Sequence, residues 1–164
     1  MLMTLSFRSI TPDDLPFLSQ IYASTRTEEL AVVPWSNAEK TAFLQMQFEA
    51  QHTYYQQHYA DADFLIILKD EASIGRLYLY RTPEEIRIVD IALLPAYRQQ
   101  GLGSKLLEDI LAEARQTQRR VRIHVERFNP ALRLYQRLGF VEIGEHGVYY
   151  LMEWLPREGQ NQAK

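Results

Sequence analysis

The segment Leu94-Pro95-Ala96-Tyr97-Arg98-Gln99-Gln100-Gly101-Leu102-Gly103-Ser104-Lys105 leads from a β-patterned run into a helical one. At such a turn unpaired backbone N–H groups and the positive end of a helix dipole converge, and glycines let an anion come close to the main chain. It reads as an anion site. A triphosphate-binding loop would end in Lys-Ser or Lys-Thr, whereas Gly103 is followed by Ser104-Lys105, the reverse order. A dinucleotide fingerprint would place a small residue three positions after Gly103, where Leu106 stands. Two titratable groups follow. In the run Arg122-Ile123-His124-Val125-Glu126, His124 and Glu126 alternate onto one face while Ile123 and Val125 take the other. An imidazole with an unperturbed pKa near ~6.5 can take up a proton, or serve as a hydrogen-bonded structural group.

The elements that must hold these groups follow from periodicity. Thr4 to Ile10 predicts a first strand, and Thr11-Pro12-Asp13-Asp14 a helix start that runs to about Ser24. Ser36-Asn37 opens a long helical region reaching about His58, with Phe43, Leu44, Met46, Phe48 and Tyr55 as its apolar side. There Gln47, Gln51 and Tyr55 recur every four residues; core packing beside a solvated glutamine row is the expectation, a substrate-lining role the alternative. Asp63 to Leu68 and Ser73 to Tyr80 form a hairpin about Lys69-Asp70-Glu71, and Ile86 to Leu94 is the most strongly β-patterned run. Leu102, Leu106, Leu107, Ile110, Leu111 and Ala114 then fall at helical spacing through about Thr117. Val121 to Val125 is a strand, Pro130 to Leu138 a helix, and Phe140 to Ile143 and Tyr149 to Trp154 are closing strands. This order predicts an α/β fold with a mixed sheet and a strand-helix-strand crossover between Ile86 and Val125.

Composition narrows the chemistry. With 164 residues and 46% hydrophobic content, the chain can bury one substantial core, and one domain over residues 4–156 is expected, followed by a loose tail at 157–164. No cysteine is present, which excludes a disulfide framework, a thiolate zinc site and a cysteine nucleophile. No metal is expected. A net charge of -3 gives no general basic field for a nucleic-acid backbone, although Arg115, Arg119, Arg120, Arg122, Arg127, Arg133 and Arg137 gather in the last third. The N-terminus lacks the pattern of a signal peptide, and no stretch approaches the ~20 apolar residues of a membrane span. A cytoplasmic protein without nucleic-acid or membrane partners is expected, as a monomer or homodimer, with Val148-Tyr149-Tyr150-Leu151-Met152 able to pair across a dimer.

Arg98 to Gly103 (RQQGLG) after the run DIALLP resembles the acetyl-CoA signature of the GNAT superfamily of N-acetyltransferases. A second motif agrees. Asn129-Pro130-Ala131-Leu132-Arg133-Leu134-Tyr135-Gln136-Arg137-Leu138-Gly139-Phe140 resembles the segment of that family in which an asparagine opens a short helix, a tyrosine follows six residues on, and Leu-Gly-Phe ends it. Asn129 and Gly139 also suit the two ends of a helix without any function. The resemblance extends from Phe7 to Trp154 and implies a mixed, mostly antiparallel sheet of six to seven strands with about four helices.

It also implies roles. Backbone amides of Arg98, Gln99, Gln100, Gly101, Leu102, Gly103 and Ser104 would hold the CoA pyrophosphate. Ile91, Ala92 and Leu93 would offer main-chain groups to the pantetheine arm, and an N–H near Leu93 would polarise the thioester carbonyl. Asn129 would reach the pantetheine amides, and Tyr135 would protonate the leaving sulfur. The base is His124 or Glu126, with Asp90 a further possibility; Asp90 and Glu126 could instead be ion-pair partners of Arg87 or Arg122. The region Glu28 to Trp35 would wall the acceptor, a primary amine, with Glu28 and Glu29 able to attract a cation. Acetyl is the expected acyl group, since Ala92 and its neighbours offer no charge to a longer acid. A CoA-binding sensor or interaction module without turnover is the alternative.

Overall fold

The computed structural model describes residues 4–156, so the expected tail lies outside the described residues. The elements are β1 (Leu5–Ser9), α1 (Leu15–Ser24), α2 (Thr27–Ala31), α3 (Asn37–His58), β2 (Asp63–Lys69), β3 (Ala72–Arg81), β4 (Glu85–Leu93), α4 (Leu102–Thr117), β5 (Arg120–Glu126), α5 (Leu132–Arg137), β6 (Val141–His146) and β7 (Tyr149–Trp154). Short 3-10 turns lie at Pro12–Asp14 and Pro95–Tyr97. The strands form one seven-stranded sheet in the order β1-β2-β3-β4-β5-β7-β6. β4 and β5 are parallel, joined through α4; β5–β7 and β6–β7 are antiparallel. The mixed α/β architecture is the expected one, with α2 as a fifth helix that periodicity over so few residues did not signal. Among the described residues no helix is long and apolar enough to cross a membrane.

By internal contact the chain divides into two compact units: one holds the chain up to Tyr78 together with Asp90–Arg98, the other Leu79–Val89 together with the chain from Gln99. In the first, Leu18 and Tyr22 of α1, Phe48 of α3 and Ile66 of β2 form a buried cluster with Ile10, Phe17, Leu44 and Leu68 packed against it. α3 opens on a capping box, where Ser36 accepts from the Glu39 amide and Glu39 accepts from the Ser36 amide. Met46 was expected on its apolar side but is exposed. It lies two residues from buried Phe48, over half a turn around the helix.

In the second unit, Leu102, Leu106, Leu107, Ile110, Leu111 and Ala114 make the buried stripe of α4, and Val121, Ile123 and Val125 the buried face of β5. The period-2 expectation for β5 holds. β7 pairs with β5 on one side and β6 on the other. Both its edges are therefore taken, and the run Val148–Met152 cannot pair across a dimer as expected; the edge strand on that side is β6.

β4 carries a bulge. Thr82 and Glu85 exchange both backbone hydrogen bonds at the β3–β4 hairpin, while further along the Leu94 amide donates to the Ile74 carbonyl. Between these two pairings β4 is one residue longer than β3. Gly75 lies beside this irregularity: a Cβ there would be 2.3 Å from the Ala92 carbonyl oxygen and 3.0 Å from the Leu93 side chain. Only glycine fits. Gly75→Ala is expected to lower the stability by ~1–3 kcal/mol, the usual cost of overpacking, whereas Gly144→Ala, with nothing within 4 Å of its added Cβ, should stay within ~0.5 kcal/mol of the parent. Urea denaturation midpoints of the two variants check this.

Candidate active site

The glycine turn opens α4 through backbone geometry. Gln99 and Gly101 both have positive φ (60° and 81°), and Gly101 is the helix N-cap. The first helical bond runs from the Lys105 amide to the Gly101 carbonyl. The amides of Leu102, Gly103 and Ser104 are thus left without helical acceptors at the positive end of a 16-residue helix. The two glycines differ in meaning. Gly101 is required by its left-handed backbone. Gly103 has neither a positive φ nor a close neighbour, since a Cβ there would meet nothing within 4 Å. Among the described residues nothing requires a glycine at 103, and what the missing side chain leaves open is approach from outside.

Arg98 serves the turn instead of adding a spare amide to it. Its N–H donates to the Pro95 carbonyl, its Nε to the Leu93 carbonyl at 2.9 Å, and its Nη2 to Ser24 Oγ at 3.2 Å. The expected contribution of the Arg98 amide to an anion cradle is therefore corrected: it closes the 3-10 turn. Ile91, Ala92 and Leu93 lie half-buried at the end of β4 in the same unit.

In the second unit, β5 is followed by the Asn129 segment. The Asn129 Oδ1 accepts from the Ala131 amide at 2.8 Å, and the Asn129 amide donates to the Glu126 carbonyl. α5 begins at Leu132, two residues later than expected, with Ala131 and not Asn129 as its N-cap, and the Asn129 side chain instead braces the turn before the helix. With Oδ1 engaged, the Nδ2 amide of this exposed residue is the donor its side chain still carries. Tyr135 is buried, its ring edge-on to Phe140 at 5.6 Å. Gly139 ends the helix with φ 105°.

His124 and Glu126 share the less buried face of β5 as expected. Arg87 Nη1 approaches His124 Nδ1 at 3.4 Å, and the His146 ring lies 6.3 Å from that of His124. Burial, the Arg87 guanidinium and His146 together hold the His124 imidazole below its ordinary pKa. Beside it lies an ion network that sequence did not reveal. Glu85 accepts from Arg87 Nε at 2.9 Å and Arg120 Nε at 3.3 Å, and Arg122 bridges to Glu85 and Glu153. Burial pushes Glu85 upward, but these guanidinium hydrogen bonds and charges outweigh it and hold the carboxyl below its usual range. Arg87 and Arg122 thus take Glu85 and Glu153. Several expected surface arginines are likewise committed: Arg119 to Glu113, Arg127 to Glu145, and Arg115 over the Trp154 ring.

Asp90 belongs to a different cluster, in the first unit. Arg76 donates to it through Nε (3.2 Å) and Nη2 (2.9 Å), and Tyr55 donates its hydroxyl at 2.9 Å. Gln51 accepts from Arg76 Nη2 at 2.8 Å. Gln51 of that row thus serves the buried cation and Tyr55 its carboxylate partner, and the solvated row is corrected on that point. Asp90 pairs with Arg76, not with Arg87 or Arg122, and three donors occupy its carboxylate. It is placed as an anchor and not as an open proton acceptor. α2 and α3 of this unit border a cavity of about 220 Å³ lined by Thr27, Leu30, Ala31, Lys40 and Leu44, while Glu29 is held by Arg26 at 2.8 Å. Among the described residues no cluster of three or more His, Asp or Glu suits a metal.

A mixed seven-stranded sheet with a parallel crossover through α4 defines an α/β fold class, and comparison with known proteins makes it specific. A model of the Acetyltransferase (GNAT) family matches residues 25–140. The chain belongs to the GNAT acetyltransferase family. It is 35% identical over 94 residues to a mycothiol acetyltransferase of Corynebacterium glutamicum, a match covering 56% of this chain and 32% of that protein; the match thus spans about a third of that relative's length. Solved structures agree in fold. A PaiA N-acetyltransferase from Thermoplasma acidophilum in complex with coenzyme A has a TM-score of 0.68 at 19% identity, covering 93% of this chain and 99% of that one. An acetyltransferase from Thermus thermophilus has a TM-score of 0.65 at 20% identity, covering 93% and 97%.

The contrast between the glycines is testable. Gly103→Ala is expected to keep or raise stability, by up to ~1 kcal/mol from helix propensity, while CoA affinity falls at least tenfold in calorimetric titration. Arg76→Met, which leaves Asp90 buried beside Tyr55 alone, should cost ~3–5 kcal/mol in chemical denaturation, as for a broken buried pair.

Proposed function

We propose that the chain is an N-acetyltransferase that moves an acetyl group from acetyl-CoA onto a primary amine by direct attack in a ternary complex. Gly103 is the observation that carries this reading. It leaves a helix N-terminus open where a pyrophosphate would approach, at a position whose glycine the protein's own packing does not require. The amides of Gln99, Gln100, Gly101, Leu102, Gly103 and Ser104 would hold that group, and Arg98 braces the turn. The main chain at Ile91, Ala92 and Leu93 and the Nδ2 of Asn129 would meet the pantetheine.

When bound, acetyl-CoA supplies an activated acyl group and a thiolate leaving group. The chain must then do three things. A backbone N–H near Leu93 polarises the carbonyl, Tyr135 gives a proton to the departing sulfur, and His124 or Glu126 takes the proton of the attacking amine. The buried ring of Tyr135, fixed against Phe140, suits a positioned acid. The partial match to a mycothiol acetyltransferase supports acetyl transfer as the reaction class. The 220 Å³ cavity between α2 and α3 supports those helices as the acceptor wall.

Titration with acetyl-CoA and desulfo-CoA, then thiol release over an amine library, tests the reading. Micromolar binding with release on one amine class is the expected result. Binding with no release on any amine would instead favour a CoA-binding module, and no binding would overturn the reading. Tyr135→Phe should lower kcat on the identified amine by ~10²-fold or more, the usual contribution of a general acid, with CoA affinity little changed.

A further inference from the structure

We propose that Arg87 is the positioning residue of His124: fastened by Glu85, it donates to Nδ1 and fixes the imidazole with its proton on Nε2, so that His124 is a hydrogen-bond donor and Glu126 the base. The argument starts from what a guanidinium can do. Arginine only donates, so the nitrogen that faces Arg87 Nη1 at 3.4 Å must accept. A neutral imidazole that accepts at Nδ1 carries its hydrogen on Nε2. Neither ring nitrogen then offers a lone pair to an amine.

Arg87 is held in place. Its Nε donates to Glu85 Oε2, and Glu85 is shared with Arg120 and Arg122, so this carboxylate is fixed from three sides. Arg87 and Arg122 are register partners on the parallel strands β4 and β5, and Arg122 is held in turn by Glu153 of β7. Within this unit the charged and titratable groups around His124 are Glu85 and Arg87 from β4, Arg122 and Glu126 on β5, Tyr149 and Glu153 of β7, and His146 of β6. Burial, and then the near cation, disfavour the imidazolium, in keeping with the lowered pKa. The neutral form, which keeps the Arg87 contact, is the favoured one. The part that concerns Glu126 rests on the acetyl-transfer reading; the tautomer and the role of Arg87 do not.

Long-range ¹⁵N NMR of the histidine rings, with His124 assigned through His124→Gln, reads both. In the parent, His124 should titrate below ordinary histidine and show a protonated Nε2 above its midpoint. Arg87→Met should raise that midpoint and mix the tautomers, and Arg87→Lys, which keeps a cationic donor, should restore part of the shift; unchanged signals from His52 and His58 report an intact fold. An Nδ1–H in the parent, or one midpoint in parent and Arg87→Met, overturns the positioning role. On the amine found by the screen, His124→Gln, which keeps an N–H donor, should turn over faster than His124→Leu, and Glu126→Gln should lose ~10²-fold or more in kcat. Equal loss in the two His124 variants with little loss in Glu126→Gln would return the base to His124. The NMR result stands or falls without any turnover.

Discussion

The parallel ladder between β4 and β5 is the constraint on which the rest depends. It runs from Glu85–Arg120 to Ile88–Ile123. Parallel strands cannot be joined by a hairpin, so the chain must cross over, and the crossover here is α4. That requirement puts a helix between the two strands in the chain, and the first amides of that helix lack helical acceptors. The Asn129 segment then follows the end of β5. In α/β sheets the carboxyl ends of parallel strands are where ligands meet exposed main chain.

Two ion networks occupy different settings, and burial separates their tasks. Arg76 is almost fully buried with Asp90, Tyr55 and Gln51. Burial disfavours its charge, but the Asp90 carboxylate more than offsets this and keeps the guanidinium ionised. Such a pair resists disruption more than it adds stability, because removing either partner leaves a charge without solvent. The network of Glu85, Arg87, Arg120, Arg122 and Glu153 is only partly buried. Its consequence is orientation, since it fixes where the Arg87 guanidinium points and hence which nitrogen of His124 bears a proton.

The sequence alone determined the element order apart from α2, the crossover, the left-handed end at Gly139 and the glycine turn. These are local: they depend on side-chain period, on φ preferences and on unsatisfied amides within a few residues, and a linear pattern records them. Tertiary structure decided the rest. It assigned Asp90 to Arg76, and Arg87 to Glu85, because ion pairs across strands depend on register and on which of several similar charges lies nearest. It placed β7 inside the sheet and left β6 at the edge, since strand order is not written in strand pattern. It gave Gly75 its reason, a carbonyl from another strand, and took from Gly103 any internal one. Chemistry was legible where it rests on the backbone of one segment; where it rests on which charged side chains meet, only the fold could choose.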